Sequence, residues 1–142
     1  MIIIEEYDQL YILVDPKKII ESFPDLPFPL KNDYKEFKKD FHRISDDEIK
    51  EILALEIKNA LKEHYTNLFT YNNVLVIIKT RIANKNNNKG KSGGWRIIGL
   101  LDKKNELFVL FDIYEHSGGK DNISKDEKDK LVEITKEYSM SL

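Results

Sequence analysis

The residues of this sequence best suited to chemistry are basic, and they are concentrated in one stretch. Residues 74–100 contain six lysines and arginines and no acidic residue, whereas the rest of the chain carries 17 basic and 25 acidic residues. A polyanion responds to such a local excess of positive charge more than to the overall net charge of −2. Guanidinium and ammonium groups both bind phosphate. The stretch therefore predicts a phosphate-binding surface, and the alternative is an ordinary solvated charged surface.

Strand periodicity predicts that four side chains meet at one end of a sheet. Lys79 and Arg81 are two residues apart in V-L-V-I-I-K-T-R-I, a β-branched strand, so they share a face. Arg96 lies on a second strand, W-R-I-I-G-L-L, and Tyr114 ends a third, L-F-V-L-F-D-I-Y. In-register pairing would gather the four into a cationic surface beside a phenol. The alternative is that they cover a half-exposed face and pair with Asp or Glu.

The remaining motifs exclude several classes of site. N-K-N-N-N-K-G-K-S-G-G, between the first two strands, is either a flexible connector or an anion-binding loop. Neither G-x-x-x-x-G-K-[ST] nor G-x-G-x-x-G occurs, and no serine lies in a nucleophile-elbow pattern. The three histidines have no metal-site spacing, so we expect no metal. His116, two residues after Tyr114, is either a general acid or base or an ordinary loop residue.

The segments that hold these residues predict an α+β fold. Two amphipathic segments form a helical hairpin, the first from Asp33 to Phe41 and the second from the N-cap Ser45 to about His64. Three antiparallel strands and a final helix, capped by Ser124, complete the order. The three strands are expected at residues 74–82, 95–101 and 107–114.

The N-terminal part of the chain is harder to assign. Residues 2–14 favour one strand or a hairpin, and Asp15-Pro16 is typical of a helix start. F-P-D-L-P-F-P-L, with three prolines, predicts a connector outside the core.

Length and composition indicate one domain of a cytoplasmic protein. The chain has 142 residues and no cysteine, which fits a reducing compartment. No apolar run approaches the roughly 18 residues of a membrane span, so we expect no membrane partner.

Two motifs carry a resemblance to a known family. The G-K-S-G-G-W-R stretch and D-I-Y-E-H, followed by N-I-S, resemble the RelE/HigB superfamily of bacterial toxins. The resemblance extends over roughly residues 33 to 135, and the helices in it are generic. It implies a RelE-like fold, in which a helical hairpin packs on a small antiparallel sheet with a C-terminal helix. Residues 1–142 then form one domain, with residues 1–32 as an N-terminal extension and residues 33–138 as the core.

The resemblance also implies an activity. Members of this family are toxins of toxin–antitoxin systems that cut messenger RNA, mostly on the ribosome, and a cognate antitoxin neutralises them. The cut is metal-independent and needs no cofactor: the RNA 2′-hydroxyl attacks the adjacent phosphorus, and cations stabilise the added charge. By position, the resemblance makes Arg96 the main transition-state contact, with Lys79 and Arg81 beside it. It assigns base stacking or proton transfer to Tyr114, and an acid or base role to His116.

The RNA-binding surface implied by the resemblance consists of residues around the glycine-rich stretch: Lys85, Lys89, Lys91 and Trp95. Two departures from the family keep alternatives open, because relatives are usually strongly basic and residues 1–32 have no counterpart in them. The alternatives are a non-catalytic RelE-fold module that binds a partner, such as a phage or plasmid accessory protein, and a gyrase-inhibiting relative.

Overall fold

The computed structural model describes residues 9–84, 90–115 and 123–141, with the backbone alone for residues 84 and 90–93. Five strands and four helices are present in this part of the chain. In chain order they are β1 (Tyr11–Leu13), α1 (Pro16–Ser22), α2 (Leu30–Lys38), α3 (Asp46–Glu63), β2 (Thr66–Tyr71), β3 (Leu75–Asn84), β4 (Gly90–Asp102), β5 (Leu107–Glu115) and α4 (Lys125–Met140).

The strands form one mixed sheet in the order β1-β5-β4-β3-β2. The strands β3 to β5 pair antiparallel, as the sequence predicts. β2 also pairs antiparallel with β3, and β1 adds to β5 in parallel, with Tyr11 opposite Leu107. Helices α1 and α2 pack against β5, α3 packs against β3, and α4 contacts β2 and β3. The α+β class and the C-terminal helix are confirmed.

The N-terminal segment is part of the hydrophobic core. The Asp15 carboxylate accepts a hydrogen bond from the Lys17 amide at 3.1 Å and caps α1, as predicted. The prediction that the proline-rich segment lies outside the core is wrong, because Phe28 and Leu30 are both buried. Proline fixes the backbone there without preventing the intervening apolar side chains from packing. The division at residue 32 stays a prediction.

The helical hairpin agrees with the sequence except at both ends of its first helix, which was predicted from Asp33 to Phe41. Helix α2 begins at Leu30, three residues before the predicted start, and ends at Lys38. The Ser45 hydroxyl accepts from the amide of Glu48 at 3.2 Å, and α3 ends one residue before His64. Both bonds of the capping box predicted for the last helix are formed.

Strand β2 was not predicted, and the glycine-rich stretch differs from its prediction. β2 is a mostly exposed edge strand, T-N-L-F-T-Y, with an irregularity in its pairing to β3 between Asn67 and Phe69. The apolar–polar alternation that identifies a strand is therefore weak. The predicted loop is partly strand, since β4 already begins at Gly90.

A buried polar group joins the last helix to the sheet. The Asp102 side chain, at the end of β4, is fully buried. It accepts hydrogen bonds from the Tyr138 hydroxyl at 2.7 Å and from the side-chain amide of Asn105 at 2.8 Å. Burial, and then the bond to Asp102, raise the pKa of Tyr138 well above its ordinary value. The contact fixes α4 to the β4–β5 turn.

Candidate functional site

Three of the predicted side chains lie in one row across the sheet. Arg96 on β4 is directly opposite Arg81 on β3 and directly opposite Tyr114 on β5. Residues opposite one another in neighbouring strands point to the same face, and their Cβ atoms are about 5 Å apart. The in-register pairing predicted from the sequence is therefore present.

Lys79 belongs to the next row on the same face. It lies opposite Ile98, which in turn lies opposite Asp112 on β5. An extra residue in β5, Phe111, shifts the register between these rows and the rest of the β4–β5 hairpin. Without this bulge, the residue opposite Arg96 would be Ile113 in place of Tyr114. The bulge thus decides which β5 side chain accompanies the arginine.

The side chains of the site differ in their exposure to solvent. Arg96 is 6% exposed and Asp112 is 3% exposed. Tyr114 and Lys79 are half-buried, and Arg81 is exposed. Arg96 and Asp112 are diagonal neighbours on one face, within reach of a long side chain. A buried guanidinium beside a buried carboxylate is held in place by its surroundings, whereas Arg81 is accessible from solvent.

The assignment of Trp95 to RNA binding is wrong. Trp95 is 5% exposed, and its ring meets that of Phe37 edge-on, with centroids 5.4 Å apart. It precedes Arg96 in the same strand and so points to the opposite face. Its indole packs between the sheet and α2 and is not available to stack on a base.

The other predicted site residues fall at or beyond the edge of the described chain. Lys85, Lys89 and His116 lie outside the described residues. Lys91 lies in β4, of which only the backbone is described at that position. Their roles stay predictions.

A cavity next to the row contains residues that sequence reasoning missed. It has a volume of about 210 Å³ and lies between the end of α3 and β3. Its lining comprises Ala60, Glu63, His64, Thr66, Lys79, Thr80 and Arg81. His64 was considered in the sequence only as a metal ligand. The signal in the sequence was the position of His64 at the end of α3. Because α3 packs on β3, that end lies beside Lys79 and Arg81.

A larger cleft than this cavity lies among α1, α2 and α3, with a volume of about 600 Å³. Asp46 is central to it and forms ion pairs with Lys50 at 2.9 Å and with Lys38 at 3.0 Å. The hydrogen bond from Lys50, and then that from Lys38, lower the pKa of Asp46. Burial, and then the charge of Asp46, raise the pKa of Tyr34 above its ordinary value. These groups pair with one another, so the cleft is a weaker candidate site than the row.

Two searches of the described residues bear on cofactors and membranes. No cluster of three or more His, Asp or Glu side chains there is arranged to hold a metal ion. None of the described helices is long and apolar enough to cross a membrane.

The family model that matches the chain is the RelE toxin of the RelE/RelB toxin–antitoxin system, over residues 34–141. The chain belongs to the RelE toxin family, and the resemblance stated from its motifs is confirmed. Membership implies an antitoxin partner. A search of the curated proteins gives no match, and neither does a search of the solved structures.

Proposed function

We propose that this toxin is an endoribonuclease that cuts messenger RNA, on the ribosome, in the cytoplasm. In this reaction the 2′-oxygen attacks the adjacent phosphorus and the bond from phosphorus to the 5′-oxygen breaks. The products are a 2′,3′-cyclic phosphate and a 5′-hydroxyl. A base takes the proton of the 2′-hydroxyl, and an acid returns one to the leaving oxygen.

The observation that carries the proposal is the row of Arg81, Arg96 and Tyr114. A pentacoordinate phosphorus carries an additional negative charge that donors held in advance stabilise best. Three neighbouring strands hold these donors at a spacing of about 5 Å. In the proposed reaction the arginines, with Lys79, stabilise that charge. Tyr114 stacks on a base or directs a proton transfer, and His116 is the candidate acid or base.

A second candidate is a toxin-fold module that binds a partner without cutting RNA. The low exposure of Arg96, together with buried Asp112 diagonal to it, favours this alternative. An arginine neutralised inside the sheet would have a structural role. Arg81 would then be the accessible cation of the row.

The test is to map messenger-RNA ends in a bacterial translation extract that contains the wild-type protein, Arg81→Gln or Arg96→Ala. Arg81 is exposed, so Arg81→Gln should fold normally. Loss of one transition-state donor is expected to slow cleavage about 10²-fold. The control is Lys104→Gln, an exposed lysine in the turn at the other end of the β4–β5 hairpin.

New ends inside translated codons, nearly absent with Arg81→Gln and unchanged with Lys104→Gln, would support the nuclease. Intact messenger RNA with the wild-type protein would refute it and favour the binding module. A gyrase-inhibiting relative would be recognised by DNA damage in cells that express the protein, while messenger RNA stays intact.

A further inference from the structure

We propose that the cavity between α3 and β3 binds an RNA phosphate next to the scissile one, and that His64 contacts that phosphate. The inference rests on the proposed function, and it adds a subsite and a residue to it. The cavity shares Arg81 with the row and Lys79 with the next row, and it lies on β3, one strand away from Arg96. An RNA chain whose scissile phosphate is at Arg96 would reach the cavity by crossing Arg81 to the edge of β3.

The lining selects for an anion. It contains an ammonium, a guanidinium and an imidazole, from Lys79, Arg81 and His64, against one carboxylate, from Glu63. None of the lining side chains is Tyr, Phe or Trp, so the surfaces on which a base could stack are limited to the His64 ring and the Arg81 guanidinium. A volume of about 210 Å³ corresponds to about seven water molecules at roughly 30 Å³ each. That space accommodates a phosphate group.

His64 is held at the cavity by its backbone, which leaves its ring available. Its amide donates to the carbonyl of Ala60 at 2.9 Å, and its carbonyl accepts from the Thr80 hydroxyl at 2.8 Å. The free carbonyls at a helix end carry partial negative charge and disfavour an anion. The first of these bonds occupies one helix carbonyl, and the Lys79 and Arg81 cations that line the cavity oppose the effect of the others. An imidazole donates from one ring nitrogen even when it is neutral.

The edge of β3 is open at this place. Pairing between β2 and β3 ends at Thr66 opposite Lys79, whereas β3 continues to Asn84. In the described part of the chain, β3 therefore has no β2 partner beyond Lys79. An extended RNA backbone can approach the cavity along this open edge.

The experiment measures binding of a fluorescein-labelled single-stranded 2′-O-methyl RNA by anisotropy. This probe has no 2′-hydroxyl and cannot be cut, so binding is measured separately from cleavage. His64→Ala removes the donor and is expected to raise Kd about tenfold, as for the loss of a hydrogen bond to a charged group. His64→Asn, which keeps an N–H donor, should recover part of the affinity.

Two further variants make the test specific. Glu63→Gln removes the one carboxylate of the cavity and should lower Kd about threefold, because a like charge near a phosphate weakens binding. His42→Ala changes another exposed histidine, which is not among the cavity-lining residues, and should leave Kd unchanged.

The outcomes separate this inference from the proposed nuclease. Wild-type affinity in both His64→Ala and Glu63→Gln would overturn the phosphate site, even if messenger RNA is cut. Failure of the wild-type protein to bind the probe at 50 mM salt would overturn it as well. Binding that depends on His64, in a protein that cuts no messenger RNA, would support the site and refute the nuclease.

Discussion

Arg96 and Asp112 offer a direct test of whether the central arginine of the row is held by the sheet. Both are almost fully buried and are diagonal neighbours on β4 and β5. For a guanidinium that reaches a diagonal carboxylate to roughly 4 Å, Coulomb's law gives ~4 kcal/mol of attraction at an effective dielectric constant of about 20. Desolvation of the two ions offsets part of it. We expect a net coupling of about 2–3 kcal/mol.

The measurement is a double-mutant cycle of Asp112→Asn, Arg96→Gln and the combined variant, followed by urea unfolding. Trp95, the one tryptophan of the chain, is buried and reports unfolding by fluorescence. Each single change should lower the free energy of unfolding by about 3 kcal/mol, because it leaves one buried charge without its neighbour. The double variant should lose clearly less free energy of unfolding than the sum of the losses of the two single variants.

A matched control is the exposed ion pair of Lys39 and Glu36, at 2.8 Å, for which the same cycle should give less than about 0.5 kcal/mol. Additivity within about 0.5 kcal/mol for Arg96 and Asp112 would refute the reasoning. Arg96 would then be stabilised by other groups, and its charge would not depend on Asp112.

Three further predictions concern stability. Gly99→Ala should lower the free energy of unfolding, measured in urea, by about 3 kcal/mol. The reason is that the added Cβ would overlap the Phe108 ring and lie 2.7 Å from its Cε1 atom. An unchanged midpoint of unfolding would contradict this packing. Tyr138→Phe removes a donor to buried Asp102 and should cost about 2 kcal/mol by the same assay, whereas a neutral result would show that the carboxylate does not need it. The pKa of Asp46 is lowered, so its stabilisation is complete above the ordinary carboxyl value and is lost as pH falls through and below that value. Asp46→Asn should reduce the fall of the free energy of unfolding over this pH range, by less than about 1 kcal/mol because the Asp46 side chain is 46% exposed. A pH profile identical to that of the wild type would disprove the contribution of Asp46.

The row of the site could be predicted because it depends only on strand alternation and in-register pairing. Lys79 and Arg81 are two residues apart, and Arg96 and Tyr114 lie on strands of strong β-branched and aromatic content. By the same alternation, Trp95 points to the face of the sheet opposite to the face of Arg96. Its assignment to RNA came from the family motif and disagreed with the periodicity, and the periodicity was correct.

What could not be predicted depends on contacts between distant segments. The parallel pairing of β1 with β5 leaves no local pattern in three residues, and β2 is an exposed edge with little alternation. The bulge at Phe111 has no glycine or proline to mark it. His64 became a candidate only when the packing of α3 on β3 placed it beside Lys79 and Arg81.

The pairing of β1 with β5 also bears on how the toxin is made. Tyr11 emerges early in synthesis, but its partner Leu107 is translated only after the hairpin and three other strands. Contacts of such high contact order form late and slowly. Tyr114 lies on that same late strand, so a nascent chain on the ribosome cannot hold the complete row. The row is therefore assembled only after β5 has been translated, later than the helical hairpin and the strands β2 to β4.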